Sequence, residues 1–166
     1  VNEDAKGAVP SRPLVAGGRV VYGAWDAHLH CLDAATGERA WAWTEHDNFY
    51  YSPAGCLPVT DGTKVFICCP DGYVSAVDLA TGKTVWREKH AAWESLGMSE
   101  DRKRLFVKSV RDEFSVVDAA TGGLIRKIQP AQGETDVIPT VPVESRGRIL
   151  YGARNGHVYI IDEEWK

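Results

Sequence analysis

The 166-residue chain is short of several things, and each shortage excludes a class of protein. With 19 Lys and Arg against 23 Asp and Glu, it lacks the basic surplus that a nucleic-acid surface needs. No apolar run approaches the ~18 residues of a helical membrane span, so none is expected. The first residues, VNEDAKGAVP, hold no basic stretch followed by an apolar core, and no signal peptide is read there. Four cysteines (Cys31, Cys56, Cys68 and Cys69) are too few for a disulfide scaffold and lack the paired C-x-x-C spacing of zinc sites. Long stretches of 3.6-residue periodicity are missing too, which argues against a helical architecture. What remains is a globular composition, 44% hydrophobic and 25% charged. A chain of this length buries roughly 70% of its unfolded surface, enough for one domain with a core.

What is present is a repeat. Four segments align without a gap over fifteen residues: RVVYGAWDAHLHCLD (19–33), KVFICCPDGYVSAVD (64–78), RLFVKSVRDEFSVVD (104–118) and RILYGARNGHVYIID (148–162). Their closing aspartates, Asp33, Asp78, Asp118 and Asp162, lie 45, 40 and 44 residues apart. After the first three comes D-x-x-T-G, ending in Gly37, Gly82 and Gly122. Eight residues past the aspartate stands Trp41 or Trp86, with Arg126 at that place in the third copy. Each copy opens on a β-branched or aromatic run of strand type, such as Val20-Val21-Tyr22 or Val65-Phe66-Ile67. Asp26-Ala27, Asp71-Gly72, Arg111-Asp112 and Asn155-Gly156 then mark hairpins, for which two-residue type I′ turns are expected. The glycine of each D-x-x-T-G segment suits a left-handed turn conformation. One strand before each run and one after it complete four strands per unit. Four-stranded units of this length predict an all-β protein, a β-propeller segment of about four antiparallel blades. The expected blades are 10–43, 54–88, 95–128 and 139–166, the last incomplete, within one region spanning 1–166.

The motif resembles the pyrroloquinoline-quinone-like (PQQ-like) repeat, A-x-D-x-x-x-G-x-x-x-W, best matched by Ala76 to Trp86. Resemblance to that family implies that Asp33, Gly37, Trp41, Asp78, Gly82, Trp86, Asp118, Gly122 and Asp162 build and dock the blades. It implies rings of seven or eight blades, the remainder coming from the same larger protein or a second copy. A four-bladed ring closed by residues 1–9 is the third arrangement. The family serves enzymes and scaffolds alike, so a function must come from the site. Its members are mostly periplasmic or exported. WD-repeat propellers share the repeat length, but usually place tryptophan before the closing aspartate, where this chain has Leu32, Val77, Val117 and Ile161.

Three sets of residues invite a chemical reading. Cys68 and Cys69 are adjacent, as in the vicinal disulfide of some quinone-dependent dehydrogenases. Strand pleating points their sulfurs to opposite faces, and the expectation is two reduced thiols. Cys56, near an inner strand, carries no mark of reactivity. Asp26-x-His28-x-His30 superficially matches the opening of calcineurin-like metallophosphoesterases, but Asp26 falls in the hairpin and no further ligand motif follows. No catalytic, cofactor or metal residues are assigned. The third set comes from the connections 44–53, 87–95 and 127–139, which share a face with the hairpins. They bring His46, Tyr50, Tyr51, His90 and Trp93 toward Trp25, Arg111 and Arg154, a candidate face for a protein partner or small ligand. The expected function is a non-catalytic binding or assembly module. Alternatives are part of a PQQ-dependent dehydrogenase, an accessory propeller of a metallophosphoesterase, and a WD-type scaffold.

Overall fold

The computed structural model describes residues 5–109, 114–128, 140–152 and 156–162. The strands form four antiparallel sheets in which chain order is also spatial order. The first sheet is β1 (Leu14–Ala16), β2 (Arg19–Gly23), β3 (Leu29–Asp33) and β4 (Arg39–Trp43). The second is β5 (Val59–Thr60), β6 (Lys64–Cys68), β7 (Tyr73–Asp78) and β8 (Thr84–Lys89). The third is β9 (Ala92–Met98), β10 (Arg104–Ser109), β11 (Phe114–Asp118) and β12 (Leu124–Ile128). A fourth, three-stranded among the described residues, is β13 (Val143–Ser145), β14 (Arg148–Gly152) and β15 (Val158–Ile161). These are propeller blades, as the repeat predicts.

Alternation in the central strands puts one side chain in two toward each neighbouring sheet, and both sides are buried in the middle blades. Phe66, Ile67, Val65 and Val74 of the second blade are fully buried, as are Leu105, Phe106 and Phe114 of the third. The core therefore lies between sheets: one cluster runs through the first three blades, and a second joins the third to the fourth.

The turns differ in their chemistry. In the D-x-x-T-G segments the aspartate caps the turn: Asp118 Oδ1 accepts from Ala120 N–H (2.9 Å), Thr121 N–H (2.8 Å) and the Thr121 hydroxyl (2.9 Å). Asp33 and Asp78 accept from Thr36 and Thr81 in the same way. Gly37, Gly82 and Gly122 take φ of +75°, +72° and +77°, as expected. The Asp71-Gly72 hairpin corrects the type I′ expectation, while Arg111-Asp112 and Asn155 lie outside the described residues. Gly72 N–H donates to Cys69 O (3.1 Å) around Pro70-Asp71, and Cys69 N–H donates to Tyr73 O (3.3 Å). Pro70 thus sits at the second place of a type I turn, followed by a left-handed Gly72 (φ +86°), the three-residue loop with a G1 bulge. Proline's φ near −65° suits that place, and without an N–H Pro70 could not close a two-residue turn against Tyr73 O, a bond that Cys69 makes instead.

Tryptophan joins successive blades. Trp41 Nε1 donates to Leu79 O of the second blade (3.0 Å), and its ring lies against Gly82. Trp86 repeats this on the third blade, donating to Ala119 O (3.2 Å) with its ring against Gly122. Between the third and fourth sheets Phe114 packs edge-on against Tyr151 within a second apolar cluster, ring centroids 5.6 Å apart, and polar links are added to it. Glu100 N–H donates to Glu144 Oε2 (2.9 Å), and Arg146 N–H donates to Glu100 Oε2 (3.3 Å). Residues 6–8 stay on the first blade: Lys6 N–H donates to Asp26 Oδ2 (2.8 Å), and Trp25 N–H donates to Ala8 O (2.9 Å).

Candidate functional site

The connection from β4 to β5 crosses the hairpin end of the first two blades. Asn48 starts a short 3-10 turn, Phe49–Tyr51, by accepting from Tyr50 N–H (3.0 Å), and a second turn spans Pro53–Gly55. The connection is stitched to the first hairpin, where Ala27 N–H donates to the buried Ser52 hydroxyl (2.9 Å). Gly23 makes this approach possible: a Cβ there would lie 2.3 Å from Pro53 O.

Toward the second hairpin, the connection is held by charge. His46 Nε2 lies 2.5 Å from Asp71 Oδ2, and Arg87 of β8 pairs with the same oxygen. Arg87 Nη2 also sits 3.1 Å from His46 Nε2. The other carboxylate oxygen, Asp71 Oδ1, accepts from Tyr73 N–H (3.0 Å). The Arg87 guanidinium stacks 3.7 Å from the Tyr73 ring centroid, and the Tyr51 ring packs on His46 at 4.9 Å. Asp71 is nearly buried, at 7% side-chain exposure, so these contacts occupy both of its oxygens. A carboxylate satisfied this way clamps three elements together and offers little to a substrate. Beneath it, burial first and then the Asp71 charge push the Cys69 thiol far up, leaving it protonated and unreactive.

The aromatic rings around the clamp face outward. Phe49 and Tyr50 stack at 4.2 Å and are 51% and 66% exposed. Tyr51 and Trp25 are partly exposed beside them.

The candidate face predicted from sequence is thus only partly assembled. His46, Tyr50 and Tyr51 come together, and Trp25 stands on the hairpin stitched to their connection. His90 does otherwise: its Nε2 lies 2.8 Å from Gly122 O, so the ring is spent on the contact with the third blade. The expected 87–95 connection shrinks to His90-Ala91, because β8 runs through Lys89 and β9 begins at Ala92. Gly72 O accepts from both His90 N–H (3.0 Å) and Ala92 N–H (3.2 Å), and Ala91 takes φ +50°. Trp93 therefore belongs to inner strand β9, at a bulge where the register with β10 shifts, not to a loop. Arg111 and Arg154 lie outside the described residues. Sequence reasoning missed Asp71 and Arg87 as partners of His46. The repeat held one signal, since Asp71 is the column mate of Asp26, and both gather histidine.

At Asp26 both carboxylate oxygens have partners within the protein. Asp26 Oδ2 accepts from Lys6 N–H and lies 2.9 Å from His30 Nε2, while Oδ1 accepts from His28 N–H (3.1 Å). Burial raises the Asp26 carboxyl, but the Lys6 N–H, His30 and His28 outweigh it, and the net direction is down. Among the described residues no group of three or more His, Cys, Asp or Glu is arranged to hold a metal ion. A cavity of about 260 Å³, lined by Lys6, Asp26, His28, His30, Arg39 and Ala42, opens beside this cluster.

The cysteines are all free. β6 ends at Cys68, and Cys69 opens the turn, so the adjacent pair is unlinked. The near neighbour of Cys68 is Cys56 instead, with sulfurs 3.3 Å apart, which corrects the view of Cys56 as unmarked.

Comparison with known proteins fits this architecture. The model of a PQQ-repeat family described as outer membrane protein assembly factor BamB matches residues 70–164. Quinohemoprotein alcohol dehydrogenase of Comamonas testosteroni is 36% identical over 81 residues, 42% of this chain and 11% of that protein. Lanthanide-dependent methanol dehydrogenase of Methylacidiphilum fumariolicum is 39% identical over 59 residues, 36% of this chain and 9% of the other. These matches span about a tenth of the length of each curated relative. Among solved structures, BamB from Moraxella catarrhalis superposes with a TM-score of 0.79 at 18% identity, covering 96% of this chain and 48% of that one. The computationally designed Ika4 protein gives 0.75 at 20% identity, covering 96% and 94%. At such identities the likeness is one of fold.

Proposed function

This chain belongs to the PQQ-repeat family described as outer membrane protein assembly factor BamB, and on that premise we propose that it is a non-catalytic binding module whose contact surface is the hairpin face of the first two blades. The observation that carries this is the pairing of an outward aromatic ridge, Phe49-Tyr50-Tyr51, with the Asp71–His46–Arg87 clamp beneath it. Rings on a rigid base lose little entropy on docking, and aromatic side chains dominate interface energetics. The fitting partner is another protein, in a periplasmic or exported setting. A photo-crosslinking residue at position 50 should trap a discrete protein adduct in cells, while the same residue at Val85, exposed on outer strand β8, should not. Equal labelling at the two positions, or no adduct at position 50, overturns the proposal.

A second reading has its own support, since both curated relatives are dehydrogenases at 36% and 39% identity. In that reading the blades are part of a quinone-dependent enzyme. Titration with pyrroloquinoline quinone and calcium, or a lanthanide, separates the two. A shifted quinone absorption band with dye-linked alcohol oxidation favours the enzyme.

A further inference from the structure

The second blade has the shortest inner strand, and its ladder stops early. β5 pairs with β6 only through Val59↔Phe66 and Thr60↔Val65. The next residue back is Pro58, which has no N–H to give. Beyond it the Cys68 N–H, with no β5 carbonyl to receive it, donates to the sulfur of Cys56 (3.4 Å). The two sulfurs lie 3.3 Å apart, already in contact, and both residues are buried, at 2% and 1% exposure. Cys69, the sequence neighbour of Cys68, is committed to the hairpin through its N–H to Tyr73 O. Sequence adjacency thus names the wrong pair.

We propose that Cys56 and Cys68 form a disulfide when the chain folds in the presence of a low-molecular-weight disulfide, fastening β5 and its connection to the second blade. In the first exchange one cysteine thiolate attacks the small disulfide, forming a mixed disulfide and expelling one small thiolate. The second cysteine thiolate then attacks the protein sulfur of that mixed disulfide and expels the other. Two protein thiols are oxidised to one disulfide, the small disulfide is reduced to two thiols, and the two cysteine protons end on those thiols. The bond forms during folding, because the hydrogen bond to Cys56, burial and neighbouring charges hold the folded-state Cys68 thiol well above its ordinary value. It closes a loop of 12 residues' separation, spanning the β5–β6 turn.

The test uses the full chain, reduced in urea and refolded in a glutathione redox buffer, then quenched by alkylation. Trypsin cuts after Lys64, so the expected bond joins peptide 40–64 to peptide 65–83, with Cys31 in neither. C69S should keep the crosslink, while C56S and C68S should abolish it and leave every remaining thiol alkylated. Folding is followed in parallel by tryptophan fluorescence. The native reduced protein, opened briefly in submolar urea with oxidised glutathione, gives a second route that does not depend on variants refolding. A bond between Cys68 and Cys69, a crosslink that survives C56S, or four alkylated thiols in folded protein by both routes would overturn the proposal.

Discussion

Placing a methyl group on Gly82 tests how the blades are joined. An alanine there meets two obstacles. The first is the left-handed backbone, φ +72°, which costs an L-residue roughly 1–2 kcal/mol. The second is the indole of Trp41: a Cβ would lie 2.7 Å from Trp41 Cγ, and the ring is buried and tied to Leu79 O. Forcing such a ring aside costs about 1–3 kcal/mol more. The repeat supplies its own control. Gly37 occupies the same turn position at φ +75°, yet nothing lies within 4 Å of its Cβ site. Gly37→Ala should therefore lose only the backbone part, about 1–2 kcal/mol, and Gly82→Ala about 2–5 kcal/mol. Urea denaturation followed by circular dichroism measures both, with midpoints compared at a common slope. Adding Trp41→Ala should erase most of the difference, because the clash disappears with the ring. Equal losses for Gly37→Ala and Gly82→Ala would refute the reasoning, as the indole would then not press on the turn.

Other outcomes follow from the same geometry. Asp71→Asn removes the charge that holds His46 and Arg87, and should cost about 1–3 kcal/mol; a double-mutant cycle with His46→Ala should show strong coupling. Tyr50→Ala should change stability by less than about 0.5 kcal/mol, since the ring is exposed, while abolishing any partner contact read by crosslinking from neighbouring Phe49. Acid should destabilise the fold through its turn carboxylates. Burial raises Asp61, but the Lys64 ammonium and N–H and the Thr63 N–H and hydroxyl outweigh it and bring it down to about 2. A depressed folded-state value means stability is present above the ordinary 3.8 and is lost as pH falls through about 2. Urea midpoints should fall between pH 4 and pH 2, and Asp61→Asn should flatten that slope.

The sequence revealed the blades far better than the surface on them. The fifteen-residue repeat carries strand, hairpin and turn together, because each feature is local: alternating apolar residues, a capping aspartate, a glycine at positive φ. Contacts between distant segments left weaker traces. Nothing near His46 announces Asp71 or Arg87, since the pairing depends on how far a connection reaches across a hairpin. Trp93 reads as loop because a bulge and a two-residue connection hide the start of β9. Cys56 escapes notice because its partner is set by a ladder that Pro58 cuts short. In each case the missing information was three-dimensional reach.

The tryptophan contacts run in one direction only. Trp41 of the first blade completes the turn of the second, and Trp86 of the second completes that of the third, while Arg126 holds the equivalent place on β12. The turns of the second and third blades therefore each borrow a wall from the blade before, so disorder entering at one end propagates differently from disorder entering at the other. In a stack of nearest-neighbour units, cooperativity is carried by such shared walls. The first three blades should melt as one block and the fourth should open ahead of them, a polarity that amide exchange would display as a step between β12 and β13.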